Sequence, residues 1–255
     1  MRRRRSLRGL GVALGLVVVT TGLVVVAWPS ITTTLTGVAK TGPIVGVGNT
    51  AKIGNTLMVS PAADIADARW SLDRLSVVTR PVMAQDYRRA AFGEAWKDVD
   101  GNGCNQRDDV LFRDVVKSAP FTAAQQHACS HDMVAGTWVD PYTGASITLT
   151  DAKQQAQAQS VQIDHIVALS VAWRYGANAW SDAKRQQFAN DLANLAAVGG
   201  AANQGKGGDD AAAWRPIRAA QCGYAVRYVR VKAAYALPVD LSEKSALTAL
   251  LATCP

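Results

Sequence analysis

Asp164 and His165 stand side by side at the end of a short apolar run, Val161 to Ile163, in the stretch VQIDHIVALS. A strand that delivers a carboxylate and an imidazole together can serve one metal ion and one water, which is what phosphodiester hydrolysis needs. Only 3 of the 255 residues are His, so a His directly after an Asp at the end of a buried strand invites an explanation. Downstream, NDLANLAAV and ANQGKGGDD hold Asn194, Asn203 and Lys206 in fixed order. An Asp-His pair by itself is more often a surface hydrogen-bonded pair than a catalytic one. The ordered set of five residues carries the argument.

That order, Asp-His, then Asn, then Asn-x-x-Lys, resembles the HNH (ββα-metal) nucleases. The words WKDVDGNGCNQRDDVL, WVDPYTG, QIDHIVALSVAW, FANDLANL and NQGKG are similar to those of the secreted HNH endonuclease family proteins of the DUF1524 (GmrSD-like) group. A late Cys-Tyr pair agrees, and the resemblance covers roughly residues 64 to 255. It implies that Asp164 and Asn203 bind one divalent cation and that His165 is the general base. It also implies that Asn194 orients the His and ties the metal loop together through its amide. Lys206 then places an ammonium on a non-bridging phosphate oxygen. An unmetallated imidazole, with a reference pKa near 6.5, takes a proton from water at neutral pH. The chain departs from the name of the family at its final His, which is Asn203 here. The remaining carboxylate and amide oxygens suit Mg²⁺ or Mn²⁺ better than Zn²⁺. Arg107 is a further candidate for facing the site and contacting phosphate.

Two other clusters bear on metals. Asp98, Asp100, Asn102, Gly103 and Asp109 fit positions 1, 3, 5, 6 and 12 of a calcium loop, with Asp for the usual Glu at the last. A plain turn before a helix is the ordinary reading of the same residues. His127, Cys129 and His131 offer zinc-ligand types, but no Cys-x-x-Cys accompanies them, and both His read more simply as polar surface residues at a helix end. The four cysteines, Cys104, Cys129, Cys222 and Cys254, form an even count in a chain read as exported, hence two disulfides. Three pairings are open. Segment order favours Cys104 with Cys129 and Cys222 with Cys254, because each pair brackets one module.

The elements that must position these residues follow from composition and period. Arg2 to Arg5 and Arg8 supply five of the seven net positive charges, so the rest of the chain carries only +2. Basic residues near a groove, Arg174, Lys184, Arg185, Lys206, Arg215 and Arg218 among them, would have to be concentrated to hold a polyanion. An uncharged stretch from Gly9 to Trp28 follows the arginines and is long enough to cross a bilayer. Residues 1–29 are therefore expected to be a signal peptide or an N-terminal membrane anchor, 30–63 a linker, and 64–255 the HNH-like nuclease domain. ADIADARWSLDRL places Ile65, Ala68, Leu72 and Leu75 on one helical face. SDAKRQQFANDLANL, Ala211 to Ala236 and Leu241 to Cys254 read as helical, the last opened by Asp240 and Glu243 as a capping box. WVDPYTGASITLT reads as strand, turn, strand. The fold class expected is a helix-rich α+β domain around a small ββα-metal core.

These readings imply an exported, metal-dependent endonuclease acting on DNA, with RNA as a second substrate, little sequence preference and no small-molecule cofactor. The membrane is a partner if the N-terminal segment stays uncleaved. A catalytically inactive cell-envelope binding protein on the same fold, and a calcium-stabilised adhesion domain, are the competing readings.

Overall fold

The computed structural model describes residues 61–79, 81 and 86–255. The expected export segment, and most of the expected linker, lie outside these residues. Among the described residues no helix is long and apolar enough to cross a membrane.

Helix α1 (Ala62–Arg74) starts just after Pro61 and buries Ile65, Ala68 and Leu72, spaced by three and four residues. A 3₁₀ turn at Arg89–Phe92 and a loop lead to α2 (Gln106–Asp114), whose N-cap Asn105 accepts a hydrogen bond from the Asp108 amide. Strands β1 (Thr122–Gln126), β2 (Cys129–Val139) and β3 (Ser146–Leu149) then form an antiparallel sheet in that order. The one-turn helix α3 (Gln155–Ala158) precedes β4 (Val161–His165), followed by α4 (Leu169–Arg174) and α5 (Asp182–Ala189). Strand β5 (Leu195–Gly199) returns antiparallel to β4, with Asp164 opposite Ala196 and His165 opposite Leu195. Helices α6 (Gly200–Lys206), α7 (Gln221–Ala234) and α8 (Leu241–Leu251) complete an α+β domain.

The β4–β5 pair lies between two cores. Because side chains alternate along a strand, Leu195 and Ala197 face a cluster with Val161, Ile163, Val110, Leu111 and Trp138. Ala196 and Val198 face the other cluster, built from α1, α4, α7 and α8. A strand buried on both faces has no polar alternation, which is why LAAVG is uniformly apolar.

Disulfides join Cys104 to Cys129 and Cys222 to Cys254, the pairing that segment order favours. With sequence separations of 25 and 32 between partners, each contributes about 3–4 kcal/mol in the chain-entropy account. Three local expectations change. The helix expected from Ala211 begins only at Gln221. Pro216 disfavours helix in the residue before it, and the Asp210 carboxylate accepts from the amides of Ala212 and Ala213, closing a turn instead. The helix expected through Leu195 stops at Ala189, where the Asn190 amide bonds back to the Gln186 carbonyl. His127 and His131 belong to the β1–β2 hairpin and not to a helix end. His127 sits in its turn with φ 51°, and His131 lies on β2 with Nε2 2.7 Å from Asp109 Oδ1.

The Asp240 carboxylate caps α8 through the Glu243 amide at 2.8 Å. Glu243 does not complete the capping box: its carboxylate turns inward to the Lys232 ammonium and the Tyr228 hydroxyl, in a site where Lys232 and Glu243 are fully buried.

Candidate active site

Strand parity and helix pitch build the site together. On β4, Gln162 and Asp164 share one face, and on α6, Asn203 and Lys206 are three apart and share another. The two faces meet: Asn203 Nδ2 donates to Gln162 Oε1 at 2.8 Å, and Lys206 Nζ lies 2.9 Å from Asp164 Oδ2. Lys206 Nζ also donates to the His165 carbonyl at 2.8 Å. The Tyr142 hydroxyl donates to Asp164 Oδ2 at 2.6 Å. Tyr142 is aimed by the turn that precedes β3, where Asp140 accepts from the Tyr142 amide and from the Thr143 hydroxyl.

His165 has the opposite parity. Its Nε2 lies 2.8 Å from the Ala189 carbonyl, an acceptor only, so Nε2 carries the proton and Nδ1 holds the lone pair. Trp96 stacks on the imidazole with ring centroids 6.3 Å apart and planes 15° from parallel. Trp96 adopts φ 60°, a conformation costly for a bulky side chain and held here by its surroundings. Asn194 straps the loop after His165, its Oδ1 accepting from the Val167 amide at 2.9 Å and its Nδ2 donating to the Val167 carbonyl at 3.2 Å.

A cleft of about 360 Å³ opens beside this set, lined by Tyr87, Arg89, Asp164, His165, Ser170 and Asn203 among others. Arg89 also lines a smaller recess on the Trp96 side of His165. Burial lowers the His165 pKa to about 4, and the charges of Arg89 and Lys206 push the same way against the Ala189 bond and Asp164. The imidazole is therefore neutral across the physiological range. An unfolded chain titrates this group near pH 6.5, so between about pH 6.5 and 4 the unfolded state binds more protons and stability falls as pH falls. In EDTA this amounts to about 3 kcal/mol over the whole window. Urea melts of the parent and His165→Gln at about pH 7 and about pH 4.5 should show that acid sensitivity shrinking in the variant.

The structure thus brings together Asp164, His165, Asn194, Asn203 and Lys206. It does not bring Arg107 to the cleft. The Arg107 guanidinium points to the start of β4, donating to the carbonyls of Val161 at 3.2 Å and Ala158 at 3.5 Å. Nor does Lys206 have an ammonium free for phosphate: it is completely buried and bound to Asp164 and to backbone. Of the basic residues expected near a groove, Arg185 bonds to carbonyls of Ala91, Ala177 and Trp180, and Arg174 lies 3.7 Å from Asp210. The sequence reading missed Arg89, Trp96 and Tyr142. They lie 23 to 76 residues from His165 in segments that read as loop or turn, and no spacing rule links them to it.

Residues 106–250 match the family described as GmrSD restriction endonucleases, C-terminal domain. An uncharacterized secreted protein of Arthroderma benhamiae (strain ATCC MYA-4681 / CBS 112371) is 37% identical over 209 residues, covering 78% of this chain and 94% of the relative. No solved structure matches the chain. With more than half of its length matched, the chain belongs to the family of GmrSD restriction-endonuclease C-terminal domains.

Proposed function

We propose that this protein is an exported, divalent-cation-dependent endonuclease of the HNH type that hydrolyses phosphodiester bonds of DNA, and secondarily of RNA, with low sequence specificity. The observation that carries the reading is His165, a neutral imidazole on a cleft, its Nε2 fixed by the Ala189 carbonyl and its Nδ1 left as base. Export is supported by the two disulfides, by the description of the relative as secreted, and by the apolar stretch after the N-terminal arginines. The chain is then released or held at the outer face of the cytoplasmic membrane.

The donor set fits a hard cation. Asp164 offers a carboxylate on the cleft, and Asn203 uses only its Nδ2 within the protein, which leaves its Oδ1 carbonyl available. These two residues would hold Mg²⁺ or Mn²⁺, which supplies charge stabilisation at the phosphoryl group and the leaving oxygen. His165 Nδ1 takes a proton from water, whose oxygen attacks phosphorus in line with the departing 3′ oxygen. Asn194 holds the loop that follows, and Tyr142 and Lys206 fix the Asp164 carboxylate. Arg89 takes the phosphate-contacting role expected of Lys206 and Arg107.

A second reading has one observation in its favour. Lys206 already compensates the charge of Asp164, as it would in an inactive binding protein that keeps the fold. Plasmid nicking by the oxidised protein in Mg²⁺ or Mn²⁺ against EDTA separates the two. Metal-dependent nicking sustains the nuclease; no cleavage of DNA or RNA by folded protein supports binding. In the nuclease, Arg89→Ala should raise KM several-fold, leave kcat nearly unchanged, and flatten the log–log salt dependence of DNA binding by about 0.7–0.9. Fluorescence anisotropy across a salt series checks this.

A further inference from the structure

The loop Asp98–Asp109 lies apart from the cleft, and none of its residues lines it. Its backbone is wound around one carboxylate. Asp98 Oδ1 accepts from the amides of Gly101 at 2.7 Å and Asn102 at 3.2 Å, and Oδ2 from Gly103 at 2.9 Å. Gly101 and Gly103, at φ 73° and 88°, allow that winding. Asn102 Nδ2 then stands between two further carboxylates, 3.3 Å from Asp100 Oδ2 and 3.0 Å from Asp109 Oδ1. The charges facing this point are Asp98, Asp100 and Asp109. His131 approaches Asp109 Oδ1 at 2.7 Å, while Lys153 is paired with Asp108 and Asp132.

An independent observation comes from α2. Asp109 is only 7% exposed, and its Oδ2 has no hydrogen-bond partner among the described residues, although Oδ1 is bonded to the loop. A buried carboxylate oxygen without a donor is costly, and a cation satisfies it. Zinc on the neighbouring Cys104, Cys129 and His131 is not an alternative, because the two thiols are joined in a disulfide.

We infer that residues 98–109 form a structural Ca²⁺ site, with side-chain oxygens from Asp98, Asp100, Asn102 and Asp109. The partial positive charge of Asn102 Nδ2 marks the cation position between Asp100 and Asp109. Binding turns that amide so that Oδ1, which now accepts from the Cys104 amide at 2.7 Å, faces the ion. Asp in place of Glu at the last position brings one methylene less reach, which sets the affinity in the range of about 10⁻⁴ to 10⁻³ M typical of extracellular modules. The site is independent of the nuclease reading and stabilises the junction of α2 with the Cys104–Cys129 disulfide.

Calorimetric titration of the full chain with CaCl₂ up to about 10 mM, beside thermal melts in Ca²⁺ and in EDTA, tests this. Saturating Ca²⁺ should raise Tm by roughly 5–10 °C. Asp109→Asn and Asp100→Asn should each weaken binding at least tenfold. Asp100 is exposed, so its variant folds even if the Asp109 variant does not. Absence of both Ca²⁺ heat and Tm shift in the parent overturns the site. A shift that survives in Asp100→Asn but vanishes in Asp164→Asn places the ion in the cleft, and overturns it equally.

Discussion

His165→Ala should lower metal-dependent plasmid nicking by about 10²–10⁴-fold, with most of the loss in kcat. The magnitude follows from the proposed role, because a positioned base is worth that range and no other described residue on the cleft is a neutral imidazole. The variant also loses the bond to the Ala189 carbonyl and the stack under Trp96, so its Tm must be measured beside its rate. A folded variant that nicks within about threefold of the parent would remove His165 from the chemistry. Loss of rate with unchanged DNA affinity would fix it as the base.

The largest effect on stability is expected at Glu243. Lys232 and Glu243 form a fully buried ion pair, with Tyr228 also donating to the carboxylate. Burial holds the Lys232 ammonium below its ordinary pKa and the Glu243 carboxyl above its own, and pairing opposes both shifts. Glu243→Leu strands the ammonium, with the Pro238 carbonyl left as its one hydrogen-bond partner among the described residues, at a cost of about 3–5 kcal/mol. For a domain of this size that lowers Tm by about 6–20 °C. The double variant Lys232→Met with Glu243→Leu removes both charges and should recover most of the loss. Chemical denaturation of the single and double variants measures it, and a double variant no better than the single would show that packing, not charge, dominates.

How much of this was visible in the chain depends on the range of each interaction. The face of α1, the Asp164–His165 word, the α+β class and the disulfide pairing were legible, because each rests on local period or segment order. The direction of a long side chain was not. Spacing puts Asn203 and Lys206 on one helical face, but only the pairing of β4 with β5 decides that the face meets Asp164. Arg107 looked equally suited to phosphate, until the position of α2 turned it onto the carbonyls of Ala158 and Val161. Glu243 fitted a capping box by spacing, yet a buried lysine from another helix claimed its carboxylate. Tyr142 and Arg89 come from distant segments and carry no local signal.

Helix α2 grips both strands of the site: Arg107 holds the Val161 carbonyl on β4, and Arg113 the Leu195 carbonyl on β5, which Arg227 of α7 also holds. The strand pair that carries Asp164 and His165 is thus clamped from about 80 residues upstream and 30 downstream. For the proposed nuclease this ties assembly of the site to completion of the fold. A chain in which α2 and α7 have not docked on β4 and β5 has no assembled site.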